Sequence, residues 1–216
     1  MSTKDKIIET SIKLFNEKGC INTSTRHIAE ELSISVGNLY YHFKNKEEIL
    51  IEIFLRYLKV VFKEVKSLNH SLDKIFLLKN FLLDNLEADI KYRFLHLEVN
   101  ILVMTFPSFK KIMKEQLHND MIMIKKLVQH QIAYGYIIKL EEEEIDFLVS
   151  NAWIIAYNNL SFWNLSSDSL VINSKKSSLN MFYFIKPYLT KKSLENEQIK
   201  DILNILKNKK KASYEK

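Results

Sequence analysis

Between Asn38 and Lys46 the chain sets an amide, two phenols, an imidazole and two ammonium groups close together: Asn38, Tyr40, Tyr41, His42, Lys44 and Lys46. These groups donate hydrogen bonds and carry positive charge, so the chemistry they suit is contact with an anionic, acceptor-rich surface. Gly37 lets a backbone come close to such a surface, and Asn38 has the amide geometry to bond a base edge. Arg26, a few residues upstream, can reach a phosphate or a guanine. Taken singly, Tyr40 or His42 packs on a surface more often than it binds anything. Their convergence is the signal.

The elements that must position these groups are short. Ser2-x-x-Asp5 is a capping-box pattern, followed by Ile8, Ile12 and Phe15 on one helical face and by Gly19 as the stop. A second helix begins near Thr23 or Ser24 and turns Ile28, Ala29 and Leu32 inward. Ser33-Ile34-Ser35 is a connection of about three residues, with Ser35 placed to cap a third helix over Val36 to about Phe43. Leu39 and Phe43 face the core, which leaves Val36, Gly37, Asn38, Tyr40, Tyr41 and His42 largely outside. Asn45-x-x-Glu48 opens a longer helix through Ile49, Leu50, Ile53, Phe54 and Tyr57 to about Lys66.

Two short helices joined by such a turn and braced by a preceding helix make a helix-turn-helix. In that motif the second helix enters the DNA major groove and the first crosses the backbone. The expectation is double-stranded DNA as partner, with 36–43 as recognition helix and Tyr40, Tyr41, His42, Lys44 and Lys46 as donors to phosphate.

Ser24-Thr25-Arg26, Ile28-Ala29-Glu30, Leu39-Tyr40-Tyr41-His42-Phe43 and Lys44-Asn45-Lys46-Glu47-Glu48-Ile49-Leu50 closely resemble the DNA-binding domain of TetR/AcrR-type bacterial transcriptional regulators, over roughly residues 3–62. The resemblance implies that Thr25, Arg26, Gly37, Asn38, Tyr40, His42 and Lys46 fall on operator-contacting positions. It also implies that residues 63–216 form an effector-binding and dimerisation domain. Ser33 departs from the pattern, which usually has glycine in the turn. Val36 and His27 lie at variable positions, so no operator sequence carries over.

The larger part of the chain reads as helices near 71–87, 90–105, 108–135, 142–165, 174–189 and 195–210, with 166–178 as an exposed loop. Only 3 Gly and 2 Pro punctuate the sequence, which favours an all-α fold. In "FLHLEVNILVM", apolar nearly all round, His96 and Asn100 share a face four residues apart. They are candidates for a ligand pocket, with internally bonded core residues as the plainer reading. Trp153 and Tyr157, at the same spacing, are candidates for its aromatic wall or for plain packing. The Phe, Leu, Ile and Met surplus suits an apolar or amphipathic small-molecule effector. The helices near 142–165 and 174–189, with Ile145, Leu148, Phe162, Phe182, Phe184 and Tyr188, look like the intersubunit helices of the family. Two-fold symmetry would give the short recognition helix a second half-site.

Charge alone argues little: residues 186–216 hold 9 Lys+Arg against 4 Asp+Glu, so most of the +6 excess lies in a tail rather than on the motif. The lone Cys20 excludes an internal disulfide framework and suits a reducing cytosol, and burial among apolar neighbours is its expected state. No HExxH, GxSxG, P-loop or metal-spaced Cys/His cluster occurs, so no enzyme activity, cofactor or metal is expected. The apolar stretch from Ile145 to Leu165 is broken by Asp146, Ser150, Asn151, Asn158 and Asn159, which argues against a membrane span. The expectation is a cytoplasmic, dimeric, ligand-responsive repressor on a palindromic operator. The rivals are an activator of the same family, a helical protein–protein adaptor and a peripheral membrane protein using the basic tail.

Overall fold

The computed structural model describes residues 1–61, 86–165 and 170–207. Its elements are helical: α1 (Thr3–Lys18), α2 (Thr25–Glu31), α3 (Val36–His42), α4 (Lys46–Val61), α5 (Leu86–Lys91), α6 (Arg93–Leu97), α7 (Val99–Thr105), α8 (Pro107–Ala133), α9 (Glu142–Asn164), α10 (Leu170–Ile185), α11 (Lys191–Leu194) and α12 (Glu197–Lys207). A single antiparallel bridge, Ile137 with Leu189, is the sole β pairing among the described residues. The chain divides into two compact units. One holds Met1–Val60 and Lys91–Leu117, the other Val61–Ile90 and His118–Lys216.

In the first unit, α1 starts with the expected reciprocal cap between Ser2 and Asp5 and stops at Gly19, whose φ of 84° only glycine adopts without strain. Ser24 caps α2, with His27 rather than Glu in the reciprocal position, and Ser35 caps α3 by accepting from the Asn38 amide at 3.1 Å. The amide of Glu48 bonds Asn45 Oδ1 at 2.9 Å, so Asn45 caps α4. Ile8, Ile12, Phe15, Ile28, Ala29, Leu39, Phe43, Ile49, Leu50, Ile53, Phe54 and Tyr57 close into one core. Each large side chain sealed there contributes roughly 1.5–3 kcal/mol, the main support for helices too short to stand alone. Cys20 is fully buried in this core, and burial pushes its thiol up to about 12.

Tertiary contacts break the helix expected near 90–105 into α5, α6 and α7. The interruptions fall at Tyr92 and Glu98, neither glycine nor proline. At the first, Asn16 of α1 supplies both missing partners: its Nδ2 donates to Lys91 O at 2.7 Å and its Oδ1 accepts from the Phe94 amide at 3.2 Å. At the second, the Glu98 carboxylate turns toward Cys20. The break also corrects the expected buried face: His96 is buried and meets the Tyr57 hydroxyl at 3.1 Å, while Asn100 is exposed, as are Leu97, Ile101 and Met104. Pro107 opens α8 as expected. The free amides of its first turn, Ser108 and Phe109, bond Glu47 Oε1 at 2.6 and 3.0 Å.

In the second unit, α9 packs along α10. Lys125 of α8 pairs with Glu142 and Asp146 of α9. The amide of Asn159, buried between the helices, donates to Ser177 O at 3.1 Å, and Asn180 donates to Asn159 Oδ1 at 2.8 Å. Met181, Phe182 and Ile199 form the centre of a core that Leu179, Phe184, Ile185, Leu189 and Leu203 surround. Of the expected loop 166–178, residues 170–178 are helical, since α10 begins at Leu170, and 166–169 lie outside the described residues. Its serines and asparagines read as loop, yet without glycine or proline nothing stops the helix. The expected helix near 71–87 lies almost wholly outside the described residues, as do the end of α4 toward Lys66 and the tail beyond Lys207. No helix among the described residues is long and apolar enough to cross a membrane.

Candidate nucleic-acid interface

The α2–α3 pair is backed by apolar side chains on its inner face. Ile28, Ala29 and Leu39 face the core, and Leu32 and Ile34 are half-buried behind the turn. Ser33 makes the turn with φ of 55°, a left-handed conformation that a side chain adopts at some cost. Opposite that core, Arg26, Gly37, Asn38, Tyr40, Tyr41 and Lys44 are exposed, and Thr25, Val36, His42 and Lys46 are half-buried.

The structure ties several of these residues to one another. Thr25 Oγ1 and the Tyr40 hydroxyl are 3.1 Å apart, so side chains of α2 and α3 are joined on the outer face. The Arg26 guanidinium pairs with Glu30 at 2.8 Å, one turn along α2 and fully in solvent reach. Such a pair is weak and readily exchanged for a phosphate. Tyr41 and His42 meet edge to face at 5.2 Å.

Lys46 is placed differently. Its ammonium donates to Cys20 O at 2.7 Å and Ile21 O at 3.1 Å, in the turn between α1 and α2. Two of its three N–H bonds are used there, and the ammonium also lies 5.5 Å from the centre of the Phe106 ring. The adjacent acidic residues keep their charge but are turned toward backbone N–H groups. Glu48 accepts from the Lys44 amide at 2.8 Å and Glu47 caps α8, so both carboxylates are taken up by backbone N–H groups. Thr25, Arg26, Asn38, Tyr40, Tyr41 and Lys44 together offer hydroxyl, amide and cationic donors, the donor inventory that phosphate oxygens and base edges need.

The expected pocket residues fall in different units and are described apart. His96 and Asn100 lie in the first, one buried and one exposed. Trp153 and Tyr157 lie in the second, both half-buried, with rings stacked at 4.0 Å and 22°. Burial, then the charges of Asp120 and Asp89, push the Tyr157 phenol well above its usual range. Of the residues expected to join subunits, Ile145, Leu148 and Phe182 are core, and Phe184 and Tyr188 are half-buried. Phe162 is exposed, and it shares that state with Phe147, Ile154 and Leu165, which sequence reasoning passed over. Reading α9 at helical spacing for a second apolar face would have found them.

Comparison with known proteins agrees with this geometry. Residues 7–53 match bacterial regulatory proteins of the tetR family, and residues 56–196 match bacterial transcriptional repressor. The probable HTH-type transcriptional regulator YttP of Bacillus subtilis is 42% identical over 65 residues, 28% of this chain and 31% of that protein. The biofilm operon icaADBC HTH-type negative transcriptional regulator IcaR of Staphylococcus epidermidis is 41% identical over 92 residues, 43% of each chain. The matched segments thus span less than half of these relatives. A TetR-family transcriptional regulator from Marinobacter aquaeolei VT8 superposes over 95% of this chain and 98% of its own, with a TM-score of 0.78 and 28% identity. The chain belongs to the tetR family of bacterial regulatory proteins and is a helix-turn-helix transcriptional regulator.

Proposed function

We propose that this regulator is a cytoplasmic, ligand-responsive repressor that binds a palindromic operator as a homodimer, with residues 1–62 as the DNA-binding part and 63–216 as the effector and dimerisation part. The observation that carries the DNA role is the outer face of α2 and α3, where Thr25 and Tyr40 are hydrogen-bonded beside exposed Arg26, Asn38 and Lys44. Asn38 and Arg26 read bases, while Thr25, Tyr40, Tyr41, His42, Lys44 and the remaining donor of Lys46 hold phosphates, with Val36 and Gly37 against the groove. The apolar row Phe147, Ile154 and Phe162 on α9, continued by Leu165 at its C-cap, supports pairing with a second copy. Two recognition helices then meet half-sites one turn of DNA apart, about 34–36 Å.

An apolar or amphipathic effector, with the Trp153–Tyr157 stack as part of its site, shifts the population between operator-binding and released states. It acts only through its different affinity for the two. In the other unit, His96, bonded to Tyr57, and the exposed Asn100 are separate candidates for a polar contact with a small molecule.

The test is anisotropy binding to DNA from upstream of the protein's own gene, across a salt series. The expected result is salt-sensitive binding to one roughly palindromic segment, outcompeting random DNA. A folded protein that binds no DNA at low salt refutes the reading and favours a protein–protein adaptor.

A further inference from the structure

The turn between α1 and α2 is gripped from two sides by charged groups distant in sequence. The Cys20 N–H donates to the Glu98 carboxylate at 3.2 and 3.0 Å. The Lys46 ammonium bonds Cys20 O and Ile21 O, the carbonyls of the next two peptides. The Ile21 N–H also bonds the Glu98 carboxylate, so the Cys20–Ile21 peptide has an anion at its N–H and a cation at its C=O, which polarise it in the same sense and strengthen both bonds. Burial pushes the Glu98 carboxyl up, and the Cys20 and Ile21 amides and the Lys46 charge draw it back down. Gly19 closes the arrangement, since a Cβ there would stand 3.1 Å from Glu98 Oε1.

The gripped turn leads directly into the reading helices. Thr23, fully buried, donates from its hydroxyl to Gly19 O at 2.8 Å and from its amide to Cys20 O at 3.3 Å. Ser24 then caps α2, and Thr25 bonds Tyr40 of α3. A shift of Cys20 and Ile21 therefore moves the start of α2 and, through Thr25, the outer face of α3.

We infer that Glu98 is a positioning residue for operator recognition: from the junction of α6 and α7 it fixes the α1–α2 turn and so sets the placement of the Thr25–Tyr40 face, without contacting DNA itself. This rests on the reading that α2 and α3 bind the operator. A carboxylate repels phosphate, so electrostatics alone makes Glu98→Ala bind DNA more tightly. Positioning gives the opposite sign, and that opposition makes the idea testable.

The experiment compares the full chain with Glu98→Ala and the isosteric Glu98→Gln in operator binding over a salt series, with amide hydrogen exchange followed across α2. Ile12→Val, a core change away from the turn, controls for lost stability. The expected result is about tenfold weaker binding for Glu98→Ala with an unchanged salt slope, a smaller loss for Glu98→Gln, and faster exchange across α2. Ile12→Val keeps parental affinity. Affinity of Glu98→Gln and Glu98→Ala equal to or above the parent's overturns the inference while leaving the DNA reading intact, as does a loss matched by Ile12→Val. If the parent itself binds no DNA, the DNA reading fails instead, and parental exchange across α2 in Glu98→Ala then overturns the positioning role separately.

Discussion

Thr25 Oγ1 and the Tyr40 hydroxyl lie 3.1 Å apart, linking the first turn of α2 to the middle of α3 on the face that points away from the core. Either oxygen can donate, so the pair keeps one hydroxyl proton for a phosphate and holds it in a fixed direction. Thr25→Ala and Tyr40→Phe should each weaken operator binding, and the double variant should lose less than the two added together. The coupling expected for two groups in direct contact is about 0.5–1.5 kcal/mol. Additivity in a double-mutant cycle by anisotropy would mean that the hydroxyls act independently.

Lys44 and Lys46 are two residues apart but differ in what holds them. Lys44 is exposed, whereas the Lys46 ammonium is bonded to Cys20 O and Ile21 O. Lys44→Ala should flatten the plot of log affinity against log salt by up to about 0.9, the loss of one phosphate contact, with stability unchanged. Lys46→Ala should weaken binding and also lower folding stability, by about 1 kcal/mol, because two carbonyls lose their donor. Urea titrations beside the salt series separate the two; equal stability of both variants would show the turn contact to be worth nothing.

Ser33 occupies a left-handed conformation, φ 55°, where a Cβ crowds the following carbonyl. Ser33→Gly relieves that crowding but adds freedom to the unfolded chain. The first effect is the larger, and the expected gain is up to about 1 kcal/mol. A midpoint in urea below the parent's contradicts this balance.

Asp5 gives a pH dependence with a definite sign. Hydrogen bonds from Ser2, then from Arg56 at 2.8 Å, hold its carboxyl down at about 2 against an ordinary 3.8. The folded value lies below the unfolded one, so its contribution is present above 3.8 and is lost as pH falls toward 2. Thermal melting of the parent and Asp5→Asn should differ near neutral pH and converge in that acid window. A gap that persists at the lowest pH would assign the stability to something other than this carboxylate. Salt should narrow the gap, since the site is solvent-exposed.

The reading head was legible because its determinants are local. Ser2, Ser24, Ser35 and Asn45 each cap the helix that follows, and the apolar spacing of Ile8, Ile12 and Phe15 or of Leu39 and Phe43 needs no distant partner to be recognised. What escaped depends on residues far apart in the chain. Nothing in "YRFLHLEVNILVM" announces a helix break, because the partners found at the breaks, Asn16 near Tyr92 and the Cys20 amide at Glu98, come from another helix and turn. The same stretch drew attention to His96 and Asn100, while the lone acid between them, Glu98, is the residue with the longer reach. A single carboxylate in an apolar run was the available signal. On α9, an apolar count could not separate Ile145 and Leu148, which are core, from Phe147 and Ile154, which are not.

That distinction bears on the proposed homodimer. Phe147, Ile154, Phe162 and Leu165 are 61%, 53%, 61% and 89% exposed along one helix and its C-cap, a row of large apolar side chains facing away from the unit's own core. Asn151 and Asn158 lie along it, each amide donating back to the carbonyl four residues earlier, at 2.8 Å. Ile154→Asp puts a charge in the middle of the row, which an interface core cannot solvate. The expected outcome is a monomer by sedimentation velocity at concentrations where the parent is dimeric, with operator affinity falling steeply because one recognition helix reads one half-site. Met104→Asp, at a residue 82% exposed and off α9, should leave both properties unchanged. If Ile154→Asp stays dimeric and binds as before, the row on α9 is not the subunit contact. If it stays dimeric but loses the operator, pairing and reading are coupled through some other surface.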